Sequence, residues 1–224
     1  MAKTTLSTIE AAILVVSIII LGTGFYLFYT DSHGFEQYVQ EDGIVEWITV
    51  AGLLAGAIVC FSRFAKSFVT RNRWFLFISF CLGLFLFFSA GEEISWGQRI
   101  FGIKSPEYFQ ANNAQQETNL HNLVVGGFKL NKLIFSLLLV IGLCFYLAFV
   151  PVLYQRSPSI RKTLDMAGIP VPRLYQVAAF LLVFVSTSLL SHGKKAELLE
   201  SAGALLFFLI MLYPKNKAIL DSRS

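Results

Sequence analysis

The chain has 224 residues, of which 55% are hydrophobic and 14% are charged, and 22 are phenylalanine. A soluble domain carries about 25% charged residues, so this composition excludes an ordinary soluble enzyme and predicts an all-α, multi-pass membrane protein. The net charge of +4 comes from basic residues spread over several short loops, which gives no indication of nucleic-acid binding.

Six apolar segments account for most of the chain, at residues 9–29, 44–64, 74–90, 133–154, 174–191 and 198–213. Each holds about 16–22 residues, which at about 1.5 Å per residue spans or nearly spans a hydrocarbon core of about 30 Å. We therefore predict a polytopic membrane helix bundle with about six transmembrane helices. The sequence Ser7-Thr8-Ile9-Glu10 predicts a capping box at the start of the first helix.

No internal repeat or low-complexity tract divides the chain. We interpret residues 1–224 as a single integral-membrane domain whose most polar part is a loop at 92–131. The three cysteines, Cys60, Cys81 and Cys144, lie inside apolar runs and form no CxxC pair, which indicates packing residues rather than a disulfide framework.

Loop charge predicts the orientation of the helices, because basic residues concentrate in cytoplasmic loops. The loops after the second and fourth segments and the tail are basic, with Arg63, Lys66, Arg71, Arg73, Arg156, Arg161, Lys162, Arg173, Lys215, Lys217 and Arg223. The loop after the first segment is acidic, with Asp31, Glu36, Glu41 and Asp42. Both termini are then cytoplasmic, and we predict an integral plasma (inner) membrane protein with loop 92–131 on the extracytoplasmic side.

Helical spacing suggests structure within this loop. Glu92, Ser95 and Arg99 are spaced i, i+3 and i+7, which predicts either that the third helix continues past the membrane or that a short interfacial helix follows it. Ser105 followed by Pro106 predicts a helix start with the serine as its cap.

The end of the loop has an amphipathic pattern. Glu117 and His121 are spaced i, i+4, and Leu120, Leu123 and Val124 form the opposite stripe. This pattern predicts an extracytoplasmic amphipathic helix lying on the bilayer between the third and fourth transmembrane helices.

Ionisable residues from distant parts of the sequence fall at one depth in this topology. They are Glu46, Glu92, Glu93, His192, Glu197 and Glu200, all at the extracytoplasmic boundary. The sequence shows nothing comparable at the cytoplasmic boundary. Because ionisable groups at the edge of a membrane cost free energy, we predict a functional site at the extracytoplasmic boundary.

One interpretation of this set is a divalent metal ion. Glu117 and His121 would offer a carboxylate and an imidazole, and Glu93, Glu197 and Glu200 would supply further oxygens. Divalent cations accept such nitrogen and oxygen ligands. The sequence contains neither HxxxH nor HExxH, so no zinc-protease motif supports this interpretation.

A second interpretation is acid–base catalysis without a metal. Glu92, Glu93, Glu117 and His121 are the candidate catalytic residues, because neighbouring carboxyl groups can divide into a general acid and a general base. Histidine can serve in either capacity near neutral pH.

A third interpretation is binding of a phosphate or sugar headgroup. Gln98, Arg99, Asn119 and Asn122 are the candidate substrate-binding residues, and arginine suits bidentate phosphate contact. Further cations in the same loop are Lys104, Lys129 and Lys132. The partner would then be a membrane lipid, or a lipid-linked substrate.

Structural alternatives stay open at this point. Glutamates at helix ends are commonly solvated, the dipole of the last helix favours Glu197 and Glu200, and Glu92 could pair with Arg99. The leading hypothesis is a membrane-embedded hydrolase or transferase acting on a lipid or lipid-linked substrate. The alternatives are a non-enzymatic membrane assembly or scaffold partner and, less favoured because the segment centres hold almost no charge or proline, a transporter or channel.

Overall fold

A computed structural model of the chain describes residues 6–126, 128–129 and 139–222. Helices joined by loops and turns make up the described chain, together with one short antiparallel hairpin formed by β1 (Val124–Val125) and β2 (Phe128–Lys129). The helices are α1 (Thr8–Thr30), α2 (Ser32–Tyr38), α3 (Ile44–Ser67), α4 (Arg73–Glu93), α5 (Gln98–Phe101), α6 (Glu107–Asn112), α7 (Leu139–Arg156), α8 (Pro158–Ala167), α9 (Leu174–Ser188), α10 (Lys195–Leu212) and α11 (Lys217–Leu220).

Four of these helices, α1, α3, α4 and α7, are long and apolar enough to cross a membrane. They coincide with the first four predicted segments, although residues 133–138 of the fourth lie outside the described residues. Helix α9 is apolar but has only 15 residues. Helix α10 includes Lys195, Glu197 and Glu200 among its 18 residues. The apolar helices thus indicate a membrane-embedded protein, and the count of six spans stays a prediction.

Helix α3 lies at the centre of the bundle and packs against both α4 and α10. A Cβ atom built at Gly52 would lie 3.1 Å from the backbone carbonyl carbon of Ala204, and one at Gly56 would lie 3.8 Å from Cα of Phe208. Because the two contacts advance by four residues on both helices, α3 and α10 run parallel. Small residues permit this close approach of helix backbones, as is common between membrane helices.

Large apolar side chains cover the outside of the bundle. Ile18 of α1 is 67% exposed, Phe77 of α4 is 56% exposed and Phe145 of α7 is 57% exposed. The buried core is centred instead on α3 and α10; in α10, Leu206 and Leu209 are almost fully buried. A continuous apolar exterior of this kind suits a lipid environment and would be unfavourable in water.

The bundle has two ends, which we name after a residue at each. At the Glu10 end, Glu10 and Arg173 join the starts of α1 and α9 by an ion pair of 3.1 Å between Oε1 and Nη1. Gln176 Nε2 donates to the carbonyl of Leu209 at 3.2 Å, so α10 ends there as well. At the Arg99 end, α3 and α10 begin and α4 ends.

The Glu10 end contains more buried charge than the sequence suggested. Glu10 forms the predicted capping box with Ser7, and it is also buried, accepting a hydrogen bond of 2.5 Å from the hydroxyl of Tyr175. Buried Arg63 pairs with Asp221 at 2.8 Å. The expectation that ionisable groups gather at one boundary only is therefore wrong, because groups far apart in sequence meet at this end through the packing of the helices.

Substitution of Gly52 tests the contact between α3 and α10. We expect Gly52→Leu to lower the melting temperature in detergent, because its side chain would overlap the backbone of α10. Overpacking of a core costs about 1–3 kcal/mol, and each kcal/mol lowers Tm by about 2–4 °C in a chain of this size. Gly22→Leu is the matched control, since nothing lies within 4 Å of a Cβ atom at Gly22. Equal melting temperatures for the two variants would contradict this packing.

Candidate functional site

The chain turns sharply at the end of α4. Helix α4 ends at Glu93, and Ser95, Trp96 and Gly97 form a short 3₁₀ turn with φ angles of 46°, 56° and 76°. A right-handed helix cannot continue through residues with positive φ. The third helix therefore does not continue as far as Arg99. Arg99 lies instead in the short separate helix α5, and the chain reverses over the end of α4.

Glu92 anchors two separate segments of the loop. The ring of Trp96 folds back over Gly91, where a Cβ atom would lie 2.8 Å from it, and its Nε1–H donates to Glu92 Oε1 at 2.9 Å. The other carboxylate oxygen, Oε2, accepts the backbone N–H groups of Leu120 at 2.6 Å and of His121 at 3.0 Å. One buried carboxylate thus holds the returning chain, including His121, against the end of α4.

Arg99 holds three carboxylates from three parts of the chain. Its nitrogens lie 3.0 Å from Asp42, 2.7 Å from Glu46 and 2.6 Å from Glu117, and we call these four residues the Arg99 clasp. Burial by itself would lower the pKa of Arg99, but the hydrogen bonds and charges of Glu117, Glu46 and Asp42 raise that pKa above its ordinary value. Arg99 is therefore permanently cationic, and it joins the start of α3 to the polar loop.

Glu117 continues from the clasp into a buried hydrogen-bond network. It accepts hydrogen bonds from the hydroxyl of Ser95 and, at 3.1 Å, from Nδ2 of Asn119. Asn113 Nδ2 donates to the backbone and side-chain oxygens of Asn119, at 2.9 Å each. Because all four residues are buried, each of these bonds is made in a low-dielectric interior, where a satisfied network rigidifies the chain.

The predicted amphipathic helix between Glu117 and strand β1 is wrong. Residues 116–120 are irregular with bends, residues 121–122 form a turn, and Leu123 makes an isolated β-bridge with Asn113. The carboxylate of Glu92 takes the N–H groups of Leu120 and His121, which a helix would have used for its own hydrogen bonds. Glu117 and His121 consequently do not share a helical face.

Two predictions about the middle of the loop have different outcomes. A helix does begin at Glu107, as predicted. Ser105 does not cap it: its hydroxyl donates to the carbonyl of Gln116 at 2.6 Å. Gln98, a predicted substrate-binding residue, donates to Ser105 Oγ at 2.6 Å and accepts the backbone N–H of Thr118 at 2.7 Å. The side chain of Gln98 therefore fastens the loop internally.

The other predicted binding residues are also engaged within the loop. Asn119 belongs to the buried network described above, and Asn122 donates from its side chain to Gln115 and from its backbone to Asn119 Oδ1 at 3.0 Å. Lys132 lies outside the described residues. The polar loop thus covers the Arg99 end of the bundle and is held together by its own hydrogen bonds.

A second group of acids at this end differs from the clasp. Glu93, Glu197 and Glu200, which we call the Glu93 cluster, are half-buried and repel one another electrostatically, and Glu46 adds to this repulsion. Lys194 attracts Glu197. Among the described residues, no hydrogen bond or ion pair neutralises Glu93 or Glu200. The acids at the Arg99 end therefore fall into a set paired with Arg99 and a second set in which Glu93 and Glu200 have no cation beside them among the described residues.

The structure does not bring together the five residues predicted as metal ligands, namely Glu93, Glu117, His121, Glu197 and Glu200. Within the part of the chain that the structure describes, no group of three or more histidine, cysteine, aspartate or glutamate residues is arranged to hold a metal ion. The reason is visible at Glu117, whose carboxylate is bound by Arg99, Ser95 and Asn119 and faces the clasp.

The imidazole of His121 is a candidate for acid–base chemistry. Burial lowers the pKa of its half-buried imidazole below the ordinary value of 6.5, and the charge of Glu92 partly opposes this shift. The imidazole is therefore mainly neutral at pH 7 and can accept a proton. The carboxylate of Glu92 interacts electrostatically with His121 and with its sequence neighbour Glu93.

Three residues that hold the site were not identified from the sequence in these roles. Asp42 was assigned only to an acidic loop, Asn113 was not considered, and Ser95 was placed on a helical face. Their partners are 57, 6 and 22 residues away, respectively. Asp42 and Ser95 are unusual in having a positive φ, and this property can be read from the backbone but not from the sequence.

Replacement of Arg99 tests the clasp. Arg99→Met should destabilise the folded state, because buried Glu46 and Glu117 would lose their counter-charge; removal of one partner from a buried ion pair costs about 3–5 kcal/mol. Thermal unfolding in detergent measures this loss. Lys104→Met, at an exposed lysine of the same loop, should leave Tm almost unchanged, and an equal loss in both variants would show that the clasp contributes nothing.

The pH dependence of unfolding tests the environment of His121. The folded state disfavours the charged imidazole, so the unfolded state binds more protons as the pH falls through the ordinary value of 6.5. His121 should therefore contribute a decrease in the free energy of unfolding between about pH 8 and about pH 5, so His121→Gln should gain stability relative to the wild type as the pH falls through this range. Identical pH profiles for the two proteins would mean that the imidazole is equally solvated in both states.

No protein-family model, curated protein or solved structure matches the chain. Function therefore has to be inferred from the geometry of the molecule itself.

Proposed function

We propose that the protein is a membrane-embedded hydrolase or transferase that acts on a lipid or lipid-linked substrate at the Arg99 end of the bundle. The observation that carries the proposal is the division of the acids at this end. One set is neutralised by the Arg99 clasp, whereas the Glu93 cluster is half-buried without a cation beside Glu93 or Glu200.

Stability does not account for the Glu93 cluster. Carboxyl groups removed from water cost free energy unless they are paired, and ionisable groups within membrane helices usually mark a functional site. The clasp supplies a contrast within the same structure, because Arg99 compensates three acids only a short distance along the chain. Within the described part of the chain, Glu93 and Glu200 have no such counter-charge, which favours a catalytic role for them.

In the proposed reaction, His121 is the general base and a carboxyl group of the Glu93 cluster is the general acid. The imidazole takes a proton from water, or from an acceptor hydroxyl, whose oxygen attacks the ester or phosphoester centre of the substrate. The bond to the leaving oxygen then breaks, and the carboxyl group of Glu93 or Glu200 donates a proton to that oxygen. Glu92 and Glu117 act as positioning residues, since their carboxylates hold the loop that carries His121.

The surroundings of the site favour a lipid substrate. The segment after α4 exposes apolar side chains, with Phe101 74% exposed and Trp96, Ile100 and Ile103 also exposed. Aromatic and aliphatic side chains beside a polar site are typical of the membrane interface, where lipid headgroups lie. A substrate anchored in the bilayer would therefore reach the Glu93 cluster from the side, without leaving the membrane.

Loop charges support an orientation for this site. The basic residues concentrate at the Glu10 end, so the positive-inside rule assigns that end to the cytoplasm. The Arg99 end then faces outward, and the protein would be an enzyme of the plasma (inner) membrane with cytoplasmic termini. A substrate built on the extracytoplasmic face, such as a lipid-linked headgroup, fits this location.

Isosteric removal of charge tests the proposed function. Purified protein is incubated with a total lipid extract of the expression host, and the products are followed by mass spectrometry. Wild-type protein should convert at least one lipid or lipid-linked species, and Glu93→Gln and His121→Gln should slow that conversion by at least about a hundredfold, because acid–base catalysis contributes about 10²–10⁴-fold.

Glu107→Gln is the matched control, because this exposed glutamate lies in the same loop but outside the site. It should keep wild-type turnover, and all variants should keep the wild-type Tm. Conversion that persists in Glu93→Gln and His121→Gln, or no conversion by the wild type of any lipid in the extract, would overturn the enzymatic assignment.

A further inference from the structure

A second charged site lies at the Glu10 end, on the opposite side of the bundle from the proposed catalytic site. Helix α8 connects α7 to α9 there, with Ser157 as its N-cap and Gly168 in the left-handed conformation at its C-terminus. A Cβ atom at Gly168 would lie 2.7 Å from the ring of Phe75. Helix α8 is thus fixed closely against the first turns of α4.

An open groove runs between α8, the turn before α4 and α11. The groove is lined by Arg71, Asn72, Pro158, Arg161, Lys162, Asp165, Met166 and Ile219. Three cationic side chains therefore face a cavity that contains one carboxylate. That carboxylate already accepts hydrogen bonds from the hydroxyl of Tyr154, at 3.1 Å, and from Nδ2 of Asn216, at 2.9 Å.

None of the ion pairs in the described part of the chain joins Asp165 to a cation of the groove. A further cation, Lys215, lies 5.9 Å from the ring of Tyr154, whose other neighbour is the guanidinium of Arg161 at 5.4 Å. Burial and the repulsion of Arg161 lower the pKa of Lys215. The groove therefore holds an excess of positive charge that an anion would offset.

Arg71 is the most firmly held of these cations. Its Nη2 donates to the carbonyl of Ile219 at 2.5 Å and to Ser222 Oγ at 2.6 Å, and its guanidinium lies 5.1 Å from the ring centroid of Phe75. Its Nε–H is buried and has no hydrogen-bond partner among the described residues. A guanidinium fixed in this way is preorganised to receive the oxygens of a phosphate group.

The position of the groove selects the kind of anion. Arg71 and Asn72 directly precede α4, and Pro158 follows two residues after the end of α7, and both of these helices are candidate membrane spans. The groove therefore lies at the depth at which a bilayer places its phosphates. Beside it, Val69 is 93% exposed and Trp74 is also exposed, as expected of residues that contact the membrane interface.

We propose that this groove binds the phosphate headgroup of an anionic phospholipid. Arg161 and Lys162 approach the phosphate from α8, and Arg71 approaches it from the turn before α4, so that a single headgroup bridges two elements. Basic pockets between membrane helices recognise anionic headgroups in this way. The site is independent of the acids at the Arg99 end and requires no catalytic activity.

Native mass spectrometry of the full chain in a neutral detergent tests the proposal. The probes are dioleoyl phosphatidylglycerol, dioleoyl phosphatidylcholine and inorganic phosphate, each added separately. We expect one molecule of phosphatidylglycerol to bind more tightly than phosphatidylcholine. The double variant Arg161→Gln/Lys162→Gln should weaken this binding by about tenfold or more, because each cation near an anionic lipid contributes about fivefold.

The matched control is Lys66→Gln/Arg156→Gln, which removes the same charge at the same end but from exposed residues outside the groove. It should bind phosphatidylglycerol within about twofold of wild type, and both double variants should keep the wild-type Tm. Equal losses in the two double variants would show non-specific attraction and overturn the site. Equal affinity for the two lipids, or inorganic phosphate binding as tightly as phosphatidylglycerol, would overturn its assignment to an anionic lipid.

Discussion

The Arg99 clasp is the interaction on which the arrangement of the polar loop depends. A guanidinium offers five N–H donors in a planar fork, and Arg99 uses this geometry to bind carboxylates that precede α3, begin α3 and follow α6. Without a cation at this point, the three acids would repel one another next to the apolar body of the bundle. Because the loop is drawn toward α3, Glu92 at the end of α4 can capture the N–H groups of Leu120 and His121.

The clasp also provides a comparison for the acids that Arg99 does not bind. Glu93 and Glu200 lie close enough to Glu46 to be repelled by it, yet Arg99, which pairs with Glu46, forms no ion pair with either of them among the described residues. Arg99 thus holds the loop, and a half-buried acidic cluster lies beside it. Individual carboxylates therefore differ in role. Glu117 stabilises the loop, whereas the Glu93 cluster is assigned to the proposed chemistry.

The two ends of the bundle differ in charge and in how far they are covered. Both meet the boundary between an apolar exterior and water, and both place ionisable groups there, but the Arg99 end is acidic and covered by a loop whereas the Glu10 end is basic and open. Glu10 pairs with Arg173 and Arg63 pairs with Asp221, whereas Arg161 and Lys162 of α8 have no carboxylate partner among the described residues. The two proposals thus assign an anionic lipid to one end and substrate turnover to the other.

By itself, the sequence determined the positions of the apolar helices, the capping box at Ser7 and the start of α6, since each depends on residues that are neighbours along the chain. It also indicated that Glu92, Glu93, Glu117 and His121 belong to one polar region. It could not determine their roles. The amphipathic pattern of residues 117–124 favours a helix, but Glu92, 28 residues from Leu120, takes the N–H groups that such a helix needs. Which acids are paired and which are left unpaired was decided only in the tertiary structure, because one arginine can neutralise only the carboxylates that the packing of α3, α4 and the loop brings within its reach.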